Sequence, residues 1–207
     1  NVETNSILVE KDTGNRFWYD GSAWVSGGFQ PTDISDGKAW YNFADLTTIT
    51  KDGSNFVSDV VNSFGTDAFD LSQATGGNQP LWESANQNGK DVITFASADF
   101  MATGNITAVA QPMTLYLAVE VPASQSAGIS EFLRSTAGTT NQHGLHASTS
   151  PNIFNAQMDS SSMSSDAVTG ILGSWHLIRL IINGASSSWE IDGVARGTGN
   201  LGTASQD

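Results

Sequence analysis

Glu190 and Asp192, two residues apart, are the chain's nearest approach to an acid/base pair. Hydrolysis of a glycosidic bond needs two carboxylates roughly 5 to 9.5 Å apart. Residues i and i+2 of a strand share a face, so Glu190 and Asp192 meet the first condition. Asp192 is also the first residue of an Asp-Gly pair, where the expected job of its side chain is to bond the backbone of its own turn. Glu120 and Glu131 stand alone, and no Glu-x-Asp-x-x-Glu string occurs. The expectation is a non-enzyme.

The three histidines supply little more. His143 and His146 are three apart and would point to opposite faces of a strand, which is poor geometry for zinc. His176 falls in an apolar run and is expected to be packed and hydrogen-bonded. No Gly-x-Ser-x-Gly elbow supports a serine nucleophile. Zero cysteines exclude disulfides, thiolate zinc sites and cysteine catalysis. Calcium is the one metal with a candidate ligand set: Asn152, Asn155, Asp159 and Asp166 gather around one expected loop, although no EF-hand spacing occurs and turn roles compete. Sugar recognition calls for an aromatic face beside amide or imidazole groups. Gln142, His143, Phe154 and Asn155, with Trp82, are the candidates. Trp40, Trp82, Trp175 and Trp189 lie in strand patterns that favour the core.

Charge narrows the partners. The 207 residues carry 8 basic and 21 acidic side chains, a net charge of -13. Scattered basic residues cannot neutralise a run of phosphates, so nucleic acid and anionic membrane surfaces are disfavoured. No stretch approaches the ~20 apolar residues that span a bilayer.

The elements that would position these groups are strands. Met113, Leu115, Leu117, Val119 and Val121 alternate with Thr114, Tyr116, Ala118 and Glu120, a period of two that no helix reproduces. Residues 129–133, 143–148 and 153–158 read as further strands, the last two paired across 149–152. Residues 160–165 read as a Ser/Met loop. The run 175–183 is nearly all apolar and predicts a central strand buried on both faces. Asp192-Gly193 then predicts a hairpin. Upstream, strands are expected over 39–43, 67–71 and 92–95, with a turn at 78–80. Residues 1–30 read as a small hairpin unit: strands at 7–9, 16–19 and 24–25, with Asp20-Gly21 as a turn. Its Phe17, Trp18, Tyr19 and Trp24 are too many aromatics for a lone hairpin to hide, which marks them as candidates for an assembly contact.

Two resemblances follow from these strings. The segment from Ala39 through Thr48-Ile49-Thr50-Lys51-Asp52-Gly53, Gln79-Pro80 and Val92 to Phe95, with Trp175 to Gly184 and Trp189 to Gly193, resembles concanavalin A-like (LamG-like) lectin and glucanase domains over about residues 38 to 200. That resemblance implies an all-β antiparallel jelly-roll β-sandwich over 38–207, lacking one or two last strands that more sequence or a partner would supply. Calcium and glycans are the ligands it implies. The string from Glu10 to Trp24 resembles a module of phage tail fibres. Together they imply a non-catalytic structural and adhesion module of a virion appendage. It would be homo-oligomeric with other virion or surface chains and would bind a cell-surface glycan or receptor. A polysaccharide depolymerase, a capsid or tail decoration domain and a bacterial surface adhesin are the alternatives. Opening at Asn1 without a signal-peptide pattern is expected of a piece of a longer polypeptide.

Overall fold

A computed structural model describes residues 7–9, 16–19, 22–26, 31, 34–65, 67–96, 98–104, 106–123, 129–134, 144–149, 152–158, 161–166, 168 and 171–203. Its regular structure is all β apart from short 3-10 turns, and every pair of named strands is antiparallel. The chain divides into two compact units, Asn1–Ile106 and Thr107–Asp207.

The first unit opens with β1 (Ile7–Val9), β2 (Arg16–Tyr19) and β3 (Trp24–Ser26), one sheet in that order. Phe17, Trp18 and Tyr19 sit in register with Ser26, Val25 and Trp24. The Asp20-Gly21 turn lies outside the described residues. A second sheet pairs β4 (Ile49–Lys51), β5 (Val57–Val60) and β6 (Leu71–Ser72). The hairpin of β7 (Leu81–Gln87) and β8 (Lys90–Thr94) joins β5 through the Phe56–Leu81 bridge and a Val57 N–H bond to the Pro80 carbonyl, 2.9 Å. Asn88 and Gly89, at φ 49° and 74°, make the hairpin's turn, because both central positions need positive φ.

Two upstream expectations change. Residues 39–43 are not a strand, because their backbone is held by a side chain: the Trp40 N–H donates to Asn62 Oδ1 at 2.9 Å. The Lys38 carbonyl accepts from Asn62 Nδ2 at 3.0 Å. Asp67–Phe69 is a 3-10 turn, and the strand begins only at Leu71. Among the described residues of this unit the buried hydrophobic side chains are Val57, Val60 and Val92, beside the buried amides Asn62 and Gln73.

The second unit holds two four-stranded sheets. One runs β16 (Val194–Gly199), β15 (Ser187–Ile191), β14 (Trp175–Ile182), β9 (Met113–Glu120). The other is a meander of β10 (Ile129–Arg134), β11 (Gly144–Thr149), β12 (Asn152–Met158) and β13 (Ser161–Ser164). Inward residues of both, among them Leu145, Phe154, Met158, Ile178, Leu180, Trp189 and Ile191, form one core. Such sharing of a core by two antiparallel sheets is what a β-sandwich requires.

β9 alternates as its residues predict, with Met113, Leu115, Leu117 and Val119 turned to the core and the intervening residues exposed. Two expectations are corrected. Ser161–Ser164 is a strand, not a loop: Met163 is buried while Ser162 and Ser164 face out, so burial there alternates with period two. β14 is central in its sheet but buried on one face only. His176, Ile178, Leu180 and Ile182 point inward, whereas Leu177 on the other face is 55% exposed. One edge of the sandwich is tied by backbone, the Asp166 N–H donating to the Arg196 carbonyl at 2.6 Å.

Candidate functional site

Asp192 and Glu190 are both engaged. Asp192 stands at φ 53° and Gly193 at 75°, the positive values a two-residue hairpin needs. The Asp192 carboxylate does not bond its own turn. Oδ2 lies 2.8 Å from His176 Nδ1 and Oδ1 accepts the Leu177 N–H at 2.9 Å, so this side chain clamps the β15–β16 turn to the start of β14. Burial pushes its pKa up. The hydrogen bonds from His176 and the Leu177 N–H, and the charges of His176 and Arg196, outweigh burial and hold it below the ordinary carboxylate value. His176 is buried as expected, its ring edge-on to Phe154 at 6.0 Å between centroids. Glu190 points to the opposite face, with Oε2 2.6 Å from Arg179 Nη2. The sequence's one carboxylate pair therefore serves two structural contacts.

The sugar-binding candidates separate. Phe154 is corrected: its ring is fully buried, packed by Phe132 at 6.1 Å and Trp189 at 6.5 Å, and it has no face left for a ligand. Asn155 faces outward on β12 and accepts the Ser164 hydroxyl at 2.5 Å, in register with His146 across β11. Gln142 and His143 lie outside the described residues. Among the tryptophans whose side chains are described, only Trp189 is fully core. Trp82 is half-buried, with Lys51 Nζ 4.7 Å from its ring centroid and its Nε1–H donating to the Phe43 carbonyl at 3.2 Å.

Of the calcium candidates, Asn155 is bonded to Ser164 as described. Asp159 lies outside the described residues, Asn152 enters β12 opposite Thr149, and Asp166 is exposed. Among the described residues no group of three or more His, Asp or Glu side chains is placed to hold a metal.

What the fold does assemble is a surface on the outer face of β9, β14 and β15. Register places Tyr116, Arg179 and Glu190 in one row. The next row pairs Ala118 with Leu177, and the one after pairs Glu120 with Trp175. On the other side Thr114, Ile181 and Ser188 make a fourth row. Tyr116 is 60% exposed, and the Arg179–Glu190 ion pair beside it fixes two groups that can bond a ligand's polar atoms. The alternation of β9 already put Tyr116 on its polar side. An aromatic there is the signal that sequence reasoning passed over. Leu177 was passed over because an apolar run does not reveal that one face is open.

Compared with protein-family models, with curated proteins and with solved structures, the chain matches none of them.

Proposed function

We propose that this chain is a non-catalytic structural and adhesion module of a virion appendage of the phage tail-fibre kind, built on a concanavalin A-like jelly-roll plan. It recognises a receptor on the host surface through an open sheet face. The observation that carries the reading is that face: an exposed Tyr116 and Leu177 set among polar side chains on rigid strands. Glu190 and Asp192, the two carboxylates that the sequence places closest together, are each engaged in a structural contact. The fibre-like string from Glu10 to Trp24 and the lectin-like order of motifs support the setting. A shallow surface of this type binds weakly per copy. Repeated copies on one appendage supply strength through effective concentration.

The test is binding of the purified chain to intact host-type cells and to their extracted polysaccharides, with reducing ends assayed in parallel. Saturable binding without new reducing ends is expected. Turnover that disappears in Glu190→Gln would replace this reading with a depolymerase.

A further inference from the structure

We infer that a second copy of this chain pairs with the outer edge of β9, strand to strand and antiparallel, about a twofold axis at Leu117. The β16–β15–β14–β9 sheet then continues into that copy. The contact does not depend on the adhesion reading; where both hold, it lays two of the open faces side by side.

The free edge follows from the ladder. One step beyond the Ile178–Ile191 pair, the Asp192 N–H donates to the Leu177 carbonyl at 2.9 Å. Residues of an antiparallel strand send both backbone groups to one neighbour or the other in alternation. Leu177, Arg179 and Ile181 therefore bond β15. His176, Ile178, Leu180 and Ile182 bond β9, where Val119, Leu117, Leu115 and Met113 answer them. The N–H and carbonyl groups of Thr114, Tyr116, Ala118 and Glu120 are left pointing outward. Among the described residues no other backbone or side-chain group bonds them. Side chains at this edge are uncovered too. Met113, Leu115, Leu117 and Val119 face the core yet are only half-buried, whereas Ile178, Leu180 and Ile182 on β14 are buried. An apolar cleft reaches Leu115, lined also by Leu133, Leu145, Met158, Leu180 and Ile182.

Native sheets blunt their edges with lysine, proline, bulges or covering segments. The β10 edge has a bulge between Glu131 and Leu133, and the β13 and β16 edges meet through the Asp166 N–H and the Arg196 carbonyl. β9 has none of these: Met113–Glu120 holds unbroken register with β14 and contains no lysine or proline. Its own sequence fits a copy of itself. The next outward positions beyond its ends are Pro112 and Pro122, which lack the N–H a ladder needs, and Leu117 is midway between them. Pairing centred on Leu117 uses every outward residue in between. Tyr116 then lies against the second copy's Ala118, a large side chain against a small one. Thr114 lies against its Glu120, a hydroxyl against a carboxylate, with no like charges opposed. A slip that centres on Tyr116 drives Glu120 against Pro112, and one that centres on Ala118 drives Thr114 against Pro122. A twofold axis makes each contact twice and closes the assembly as a dimer.

The experiment is sedimentation and light scattering of the whole 207-residue chain over a range of concentrations, at low and high salt. A monomer–dimer equilibrium is expected, tightened by salt because each copy carries a net charge of -13. Exchange of the Tyr116 and Ala118 amides should slow as the dimer forms. Ala118→Pro removes an outward N–H and spares the β14 ladder, so it should weaken association at least about tenfold. Thr114→Glu sets a carboxylate against the second copy's Glu120 and should weaken association about fivefold, and Thr114→Lys should tighten it by a similar factor. Ser162→Lys, the same charge change on β13, should move it less. Thermal unfolding verifies that the variants fold, and the two Thr114 variants decide the matter if Ala118→Pro does not. A chain that stays monomeric at high concentration and high salt would overturn the inference. So would a dimer that the β9 variants leave unchanged, or a trimer, which a twofold pairing cannot make. Cell binding by a monomeric variant, read separately, decides the adhesion reading.

Discussion

Asp192 shows how one side chain can be read correctly for its turn and wrongly for its partner. Its backbone makes the predicted hairpin, while its carboxylate reaches across to His176 and the Leu177 N–H. Because its folded pKa is lowered, its stabilising contribution is full above the ordinary value of 3.8 and is lost as pH falls through the lower folded value. Acid titration followed by tryptophan fluorescence should show a destabilisation beginning near pH 4, and Asp192→Asn should flatten it. Tyr41 gives the opposite sign. Burial first, and then the charge of Asp70, push its hydroxyl from 10.0 up to about 12, and Oη donates to the Phe69 carbonyl at 2.5 Å. A raised pKa stabilises the fold below 10 and ceases to as pH rises toward 12. Urea midpoints should therefore fall across that alkaline window, and the fall should shrink in Tyr41→Phe.

At the scale of elements, close backbone approach closes one edge of the sandwich. Gly197 on β16 has φ 156°, and a Cβ there would lie 3.1 Å from the Ser164 carbonyl oxygen of β13. Gly199 faces Met163, whose flexible side chain can yield. Gly197→Ala should thus cost about 1–3 kcal/mol in urea unfolding, and Gly199→Ala less. In the first unit, Asn62 replaces a strand partner for residues 38–40 and also accepts the Phe64 N–H at 3.2 Å. Asn62→Ala leaves part-buried backbone groups without this partner, a cost of about 1–2 kcal/mol by the same measurement.

For the whole molecule, the two units differ in what holds them. Among the described residues, the second has a continuous core of fifteen buried residues drawn from both sheets and the segments that join them. Among its described residues the first buries the hydrophobic side chains of Val57, Val60 and Val92, while Ile34, Leu46, Phe56, Val61, Phe95 and Phe100 stay exposed. Local stability follows buried apolar contact, so amide exchange should be fastest in β4–β8 and slowest at Ile178, Leu180 and Ile191. Equal protection in both units would show that the exposed apolar residues of the first are covered in solution.

Period-two alternation and paired turn residues determined the all-β class, the strands from Met113 onward other than β13, and the Asp192-Gly193 hairpin, because these depend on neighbours in the chain alone. Asn88-Gly89 was equally legible as a hairpin turn. The tertiary structure decided what local pattern cannot: that Asn62 holds residues 38–40 in place of a strand, that Phe154 belongs to the core, and that the apolar run of β14 has an open face. Those outcomes depend on which surfaces meet. The candidate site belongs to this second kind, since Tyr116, Leu177 and Glu190 are far apart in sequence and become neighbours only through the register of β9, β14 and β15.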